Sequence, residues 1–301
     1  MLTRLQFLGV LTALAAEISV NSCTSRQGKA PLVMADRAAV TGPDYDAWGK
    51  VLQAHIKPTT LRGIAVNAVD YDGIRSDPNF DIFVQSLETA PTTGGKAEEY
   101  ALWINSYNAL AIKTVIDNPC KKQLLGMKKT KIASIKDVGT VLHPVWKRPA
   151  GVVGGETLSL DDIENVKLRT PEGYPADPLL HACIVCASAS CPDVALTVYK
   201  PETLEDDMAA NMRDFLANKK KGLALDKGKG VITLSKVFQW FEGDFMKAGH
   251  ASVLDALMPF MPEDVCDYVR QNKESLRVAH FEYDWGLNGP SPGAPGKGGS
   301  C

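Results

Sequence analysis

The chain lacks any run of 18 or more apolar residues, any repeat at a fixed period, and any excess of one charge. The first absence argues against a membrane-spanning helix and the second against a solenoid. The balance of 33 Lys and Arg against 35 Asp and Glu, a formal charge of −2, gives no global basic field for capturing nucleic acid. The short run Lys219-Lys220-Lys221 reads as a solvated helix end, where cations also suit the helix dipole. No heptad segment is present either, so a coiled coil is not expected.

What remains is an ordinary globular composition, 45% hydrophobic and 23% charged over 301 residues, enough for one large domain. Arg4 followed by LQFLGVLTALAA has the form and length of an export signal, too short to span a bilayer. Ala13-Leu14-Ala15 offers a cleavage site, and Val20-Asn21-Ser22-Cys23 has the outline of a lipoprotein box with an awkward Asn21. The expected organisation is a signal over 1–22, a polar linker over 23–42, a globular domain over 43–289, and a disordered Pro/Gly tail over 290–301. The expected location is secreted or in the cell envelope, with membrane contact only through a lipid on Cys23. In an oxidising compartment cysteines can pair, and six remain when Cys23 is set aside.

Within the domain, DYDAWGKVLQAHI places Trp48, Val51, Leu52 and His55 on one helical face. IAVNAVDYDGI alternates like a strand, and Asn79 to Leu87 reads as a short helix. EEYALWINSYNALAIKTVID is the longest helical pattern, apolar almost all round and therefore central, and Pro119 ends it. A loop-rich stretch with a Gly154-Gly155 turn leads to Ser159-Leu160-Asp161-Asp162, a capping-box-like helix start. LHACIVCA is a short apolar run, which predicts a buried strand. Thr203 to Asn218 follows as an amphipathic helix, GLALDKGKGVITL as a hairpin, Ser235 and Pro262 as helix starts, and RVAHFEYDW as a closing strand. The expected fold is α+β, a mainly helical single domain around a small antiparallel or mixed sheet.

Three of the seven cysteines and one of the five histidines fall within LHACIVCASASCP: His181, Cys183, Cys186 and Cys191. On a strand, His181 and Cys183 share one face and Cys186 takes the other, so a local His181–Cys186 dyad is not expected. A histidine partner would then come from His143, His250 or His280. Cys191 follows a small-residue turn and precedes Pro192, and a helix beginning there would lower its thiol pKa. A Cys186–Cys191 disulfide across Ala-Ser-Ala-Ser is the bland alternative. Cys183 reads as a small buried hydrophobe. A zinc site is disfavoured because alternating strand faces would scatter the ligands, so neither metal nor cofactor is expected.

Asn105 and Asn108 sit on the buried-looking helix, where an amide must find partners or cost about 1–3 kcal/mol. They either tie the helix to a loop or line a pocket. Glu164 and Arg169 read as an exposed pair or as a carboxylate and guanidinium aimed at a site. Asp284 and Asn288 in YDWGLN either orient a histidine or cap a turn.

The segments WINSYNALAI, LSLDDIENVKLR, DPLLHACIVCASASCP and YDWGLN, in this order, resemble the family catalogued as domain of unknown function 547. Its motif positions fall on Trp103, Asn105, Tyr107, Asn108, Glu164, Arg169, His181, Cys186, Ser190, Cys191, Pro192, Asp284, Trp285 and Asn288. Asn165 stands where the family often has His, Val185 where it has Asn, and Ala187 where it has Gly. The family name assigns no chemistry. The density of polar groups in the motifs favours a cysteine-dependent hydrolase or acyl transferase of the papain-like or transglutaminase-like kind, acting on an amide or ester of a small molecule or peptide. In that reading Cys191 or Cys186 attacks, a histidine is the base, Asp284 or an Asn orients it, and Ser190 helps hold the oxyanion. Asn105, Asn108, Arg169 and Asn288 would contact substrate, with His181 and Glu164 in the catalytic group. The rival reading is a non-catalytic binding domain carrying the Cys186–Cys191 disulfide.

Overall fold

The computed structural model describes residues 42–122, 129–169 and 177–293. The expected signal, almost all of the linker with Cys23, and most of the terminal tail lie outside these residues. Helices dominate, and the strands form small sheets of two or three, so the fold is α+β.

Helix α1 (Tyr45–His55) starts where Asp44 Oδ1 accepts the Ala47 amide at 2.9 Å, an N-cap that satisfies one of the orphan donors. Its buried face, Ala47, Trp48, Val51 and Leu52, follows the expected spacing and packs on α3 (Pro78–Glu88), with Trp48 stacked on Phe83 at 5.1 Å. Between them run a hairpin, β1 (Ile56–Leu61) with β2 (Ile64–Val69), and the short α2 (Tyr71–Ser76). Strand β1 escaped the sequence reading because its pattern is one buried residue followed by exposed ones. The tight turn at its end uses Arg62 and Gly63, both at positive φ.

Helix α4 (Lys96–Asp117) is the central post. Every residue from Tyr100 to Ile112 is buried, which matches a pattern apolar on all sides. Hairpin β5 (Pro149–Val153) and β6 (Glu156–Ser159) lies close against it, since a Cβ on Gly151 would stand 2.4 Å from Leu110 Cδ2. Residues Cys120–Lys122 and Lys129–Lys131 form the small β3–β4 pair. Helix α5 (Leu160–Asp162) begins with the expected capping box, Ser159 and Asp162 each satisfying the other's amide. It runs on as a π-helical turn over Ile163–Leu168, in which the Arg169 amide reaches back five residues to the Glu164 carbonyl at 3.0 Å. Such widened turns re-aim side chains and recur at functional sites.

A second core is built on α6 (Leu204–Ala217), hairpin β7 (Leu223–Asp226) with β8 (Val231–Leu234), and the helices α7 (Lys236–Trp240), α8 (Glu242–Lys247), α9 (Val253–Leu257) and α10 (Glu263–Asn272). Strand β9 (Arg277–His280) closes this three-stranded sheet by pairing parallel to β8, so the sheet is mixed. The Lys run after α6 is only partly solvated. Lys221 is buried with its Nζ 2.8 Å from Asp193 Oδ1, an ion pair that substitutes for lost hydration.

The largest departure from the sequence reading is LHACIVCA, which forms no strand. Pro178–Ala182 is a 3₁₀ turn capped by Asp177, and the chain beyond it is irregular apart from a single bridge between Ser188 and Leu287. Its backbone groups are satisfied without a neighbouring strand. Asn108 donates to the Cys183 carbonyl and accepts the Val185 amide, both at 2.8 Å, while Ala187 and Ala189 pair with Asn288 and Gly286. The run is apolar because it is wedged where the two cores meet: Leu180 and Cys183 belong to the first, Ala182 to the second.

Candidate active site

Where the cores meet, a cleft of about 290 Å³ opens between α4, α5, the 178–192 segment, α7 and the closing YDW. His181, Cys186 and Cys191 all line it, together with Tyr107, Glu164 and Arg169. The expectation that His181 and Cys186 face opposite ways is thereby corrected: it rested on strand alternation, and there is no strand. His143, His250 and His280, the partners expected instead, do not line the cleft.

His181 is held by a residue from another element. Its Nε2 lies 2.8 Å from Asp244 Oδ2 on α8, and its ring stacks on Phe241 at 4.1 Å. Arg169 donates to the same carboxylate from Nε at 2.7 Å and Nη2 at 3.2 Å, and lies over the Phe241 ring. The hydrogen bond from His181 and the Arg169 charge hold Asp244 far below the usual carboxylate range. An ionised carboxylate only accepts, so the His181 Nε2 carries the proton and Nδ1 the lone pair. Burial outweighs the Asp244 contact and lowers the His181 pKa, which keeps the ring neutral.

The two thiols are also in contact. Cys186 Sγ lies 3.2 Å from Cys191 Sγ, 3.4 Å from Tyr283 Oη and 3.5 Å from Ser188 Oγ, while the Ser188 and Tyr283 hydroxyls are 2.9 Å apart. Both are free thiols, as are Cys183 and Cys266. The thiol of Cys191 and the two hydroxyls, all able to donate, lower the Cys186 pKa to about 7 against the cost of burial. Burial raises Cys191 instead, and the negative charge favoured on Cys186 adds to the rise. The expectation that Cys191 starts a helix fails: residues 191–203 contain no helix, and the amide that reaches its sulfur is that of Cys186, at 3.2 Å. Cys183 is fully buried with a raised pKa, as a packing residue. Among the described residues, no group of three or more His, Cys, Asp or Glu side chains is placed to hold a metal ion.

Glu164 faces the cleft from the π turn and accepts a 3.3 Å hydrogen bond from the Tyr107 hydroxyl. Burial raises its pKa, partly offset by Arg169 and Tyr107. The mouth is walled by aromatic rings: Trp285 packs against Tyr283 at 4.6 Å, Trp240 at 5.7 Å and Trp146 at 6.2 Å.

Five expected site residues are engaged elsewhere. Asn105 bonds Trp48 Nε1, the Ala101 carbonyl, and both the amide and carbonyl of Tyr199. Asn108 clamps the 183–185 backbone, and Asn288 accepts from the Tyr71 hydroxyl at 2.6 Å. Asp284 pairs with Arg62 at 2.6 Å and reaches no histidine. Ser190 is likewise spent, its Oγ accepting the Asp284 amide and its amide donating to the Asp284 carbonyl. The residue in the orienting role is Asp244, which sequence reading missed. It lies in FEGDFM, an ordinary helical pattern, and no local signal ties it to His181 63 positions away.

Residues 92–216 match the family described as "Protein of unknown function, DUF547". That segment of the chain is similar to DUF547 sequence. It contains Tyr107, Glu164, Arg169, His181 and both cysteines of the cleft, whereas Asp244, Tyr283 and Trp285 come from the chain that follows. The DUF547 resemblance also explains one departure. Ala187 has φ +58°, a left-handed conformation at the position where the family often has Gly. No curated protein and no solved structure matches the chain.

Proposed function

We propose that this cleft is the active site of a cysteine-dependent hydrolase or acyl transferase acting on an amide or ester, with Cys186 as the nucleophile. The observation that carries the reading is the Cys186 sulfur, ringed by the Cys191 thiol and the Tyr283 and Ser188 hydroxyls and lowered to about pKa 7. His181, neutral, oriented by Asp244 and lining the same cleft as Cys186, serves as base and then as acid. Its Nδ1 takes the thiol proton, the thiolate adds to the acyl carbon, and the imidazolium returns the proton to the leaving group. A second nucleophile, water or an amine, then releases the acyl group from the sulfur. Tyr283, whose pKa burial holds well above its ordinary value, stays protonated and donates to the developing oxyanion. Glu164, whose pKa burial raises, lines the cleft beside the Tyr107 hydroxyl as a polar group within it. The aromatic wall suits an acyl group with a flat or apolar body. Export by the N-terminal signal is part of the same proposal.

Incubation with p-nitrophenyl acetate and intact-mass analysis tests the reading. One acetyl group should be trapped on the peptide carrying Cys186 and be absent in Cys186→Ala. Acetylation of Cys191 or Cys266 alone, or none, would sink it.

The non-catalytic alternative keeps one favourable observation, two sulfurs close enough to be oxidised to a disulfide with little rearrangement. Mass analysis of unreduced protein distinguishes the two, because a 186–191 disulfide leaves no nucleophile.

A further inference from the structure

We propose that the loop over residues 139–144 is a membrane-surface anchor that inserts Val141 and Leu142 into an anionic phospholipid interface. The inference is independent of the reaction proposed for the cleft. Val141 is 100% exposed and Leu142 84%, yet the turn that carries them is well fixed. Thr140 donates its amide to the His143 carbonyl at 2.9 Å, and His143 returns its amide to Thr140 Oγ1 at 3.0 Å. The two legs meet below the tip, where a Cβ on Gly139 would stand 2.4 Å from the Val145 amide nitrogen. Backbone hydrogen bonds therefore hold the tip, and its two apolar side chains contribute nothing to packing.

Charge and size point to the occupant. Residues 129–148 carry five cations, Lys129, Lys131, Lys136, Lys147 and Arg148, against one acid, Asp137, which is already paired with Lys121. Lys147 and Arg148 line a depression beside Leu142 and His143, a place for lipid phosphate. The Arg148 guanidinium is held there by its bond to the Val138 carbonyl. Below the loop, Trp146 packs against Trp285, and Lys136 sits 4.3 Å over the Trp285 ring. Amphipathic rings of this kind favour the headgroup level of a bilayer. Two side chains are far fewer than the 20–30 residues a typical protein partner covers, whereas a lipid interface needs only an apolar tip with cations behind it. Because Trp146 also lines the thiol cleft, docking by this loop brings the cleft's mouth to the membrane surface.

The test uses the full chain with Cys23→Ser, so that no lipid can be attached there, carrying Leu142→Trp as a local probe. Its extra fluorescence should shift to the blue and be quenched by brominated lipid on vesicles of phosphatidylcholine and phosphatidylglycerol. Binding should be about 10-fold weaker or more on pure phosphatidylcholine, where the cations lose their attraction to an anionic surface. Adding Val141→Asp should abolish the shift, and Lys147→Glu with Arg148→Glu should reduce it, with circular dichroism unchanged. Emission unmoved by anionic vesicles overturns the proposal. A shift that needs no lipid and grows with protein concentration overturns it in favour of a second copy of the chain.

Discussion

The Nε2 of His181 and the Oδ2 of Asp244 lie 2.8 Å apart, and Arg169 donates to the same oxygen from Nε and to Oδ1 from Nη2. Asp244→Asn keeps the shape and removes the charge that fixes the imidazole tautomer. Thiol-dependent acyl transfer should fall about a hundredfold to ten-thousandfold. Asp284→Asn, which loosens only the pairing with Arg62, should leave it within a few fold. Steady-state rates on an activated ester compare the two.

The same carboxylate gives a pH dependence of stability. Asp244 has a folded pKa below its unfolded value, so the unfolded chain binds more protons between them. Its stabilisation is full above about pH 5 and fades as pH falls through the acid range toward the folded value. Urea midpoints between pH 7 and pH 3 should drop less steeply in Asp244→Asn than in the wild type, whose unfolded chain begins to bind the Asp244 proton toward the acid end of that interval while the folded carboxylate stays ionised.

Cys191 acts through Cys186. Removing its thiol in Cys191→Ala takes away the first donor to the Cys186 sulfur. The alkylation pKa of Cys186 should rise from about 7, while Cys183, fully buried, stays unreactive in the folded protein. A pH series of iodoacetamide labelling with peptide mapping reads both.

Asn105 and Ala187 separate structure from chemistry. Asn105→Ala strips partners from Trp48 and Tyr199 in the core and should cost about 2–4 kcal/mol in a urea titration, with no change in the Cys186 thiol pKa. Ala187→Gly relieves a left-handed non-glycine residue and should stabilise by up to about 1 kcal/mol.

Much of this architecture is legible in the sequence wherever periodicity and caps speak. Helix α4, the capping box at Ser159 and the closing strand fall where the pattern places them, because each is decided by its own residues. The run LHACIVCA predicts a strand and forms none, for a physical reason. An apolar run records burial alone, and here burial comes from two cores meeting, with the Asn108 amide doing for the backbone what a neighbouring strand would. That expectation separates His181 from Cys186, whereas the preference for Cys191 rests on a helix start at Pro192 that does not form. The motif residues of the cleft could be named in advance, but their partners could not. Asp244 and Tyr283 reach the thiols and the imidazole from distant parts of the chain, and no spacing encodes such a meeting.

The central claim is that Cys186 is the activated thiol of the cleft, and the most direct measurement is the pH dependence of its alkylation by iodoacetamide, mapped by peptide. The account predicts selective labelling of Cys186 with a midpoint near pH 7, well below the ~8.5 of a free cysteine. Preferential labelling of Cys191, or a Cys186 midpoint at 8.5 or above, would contradict it.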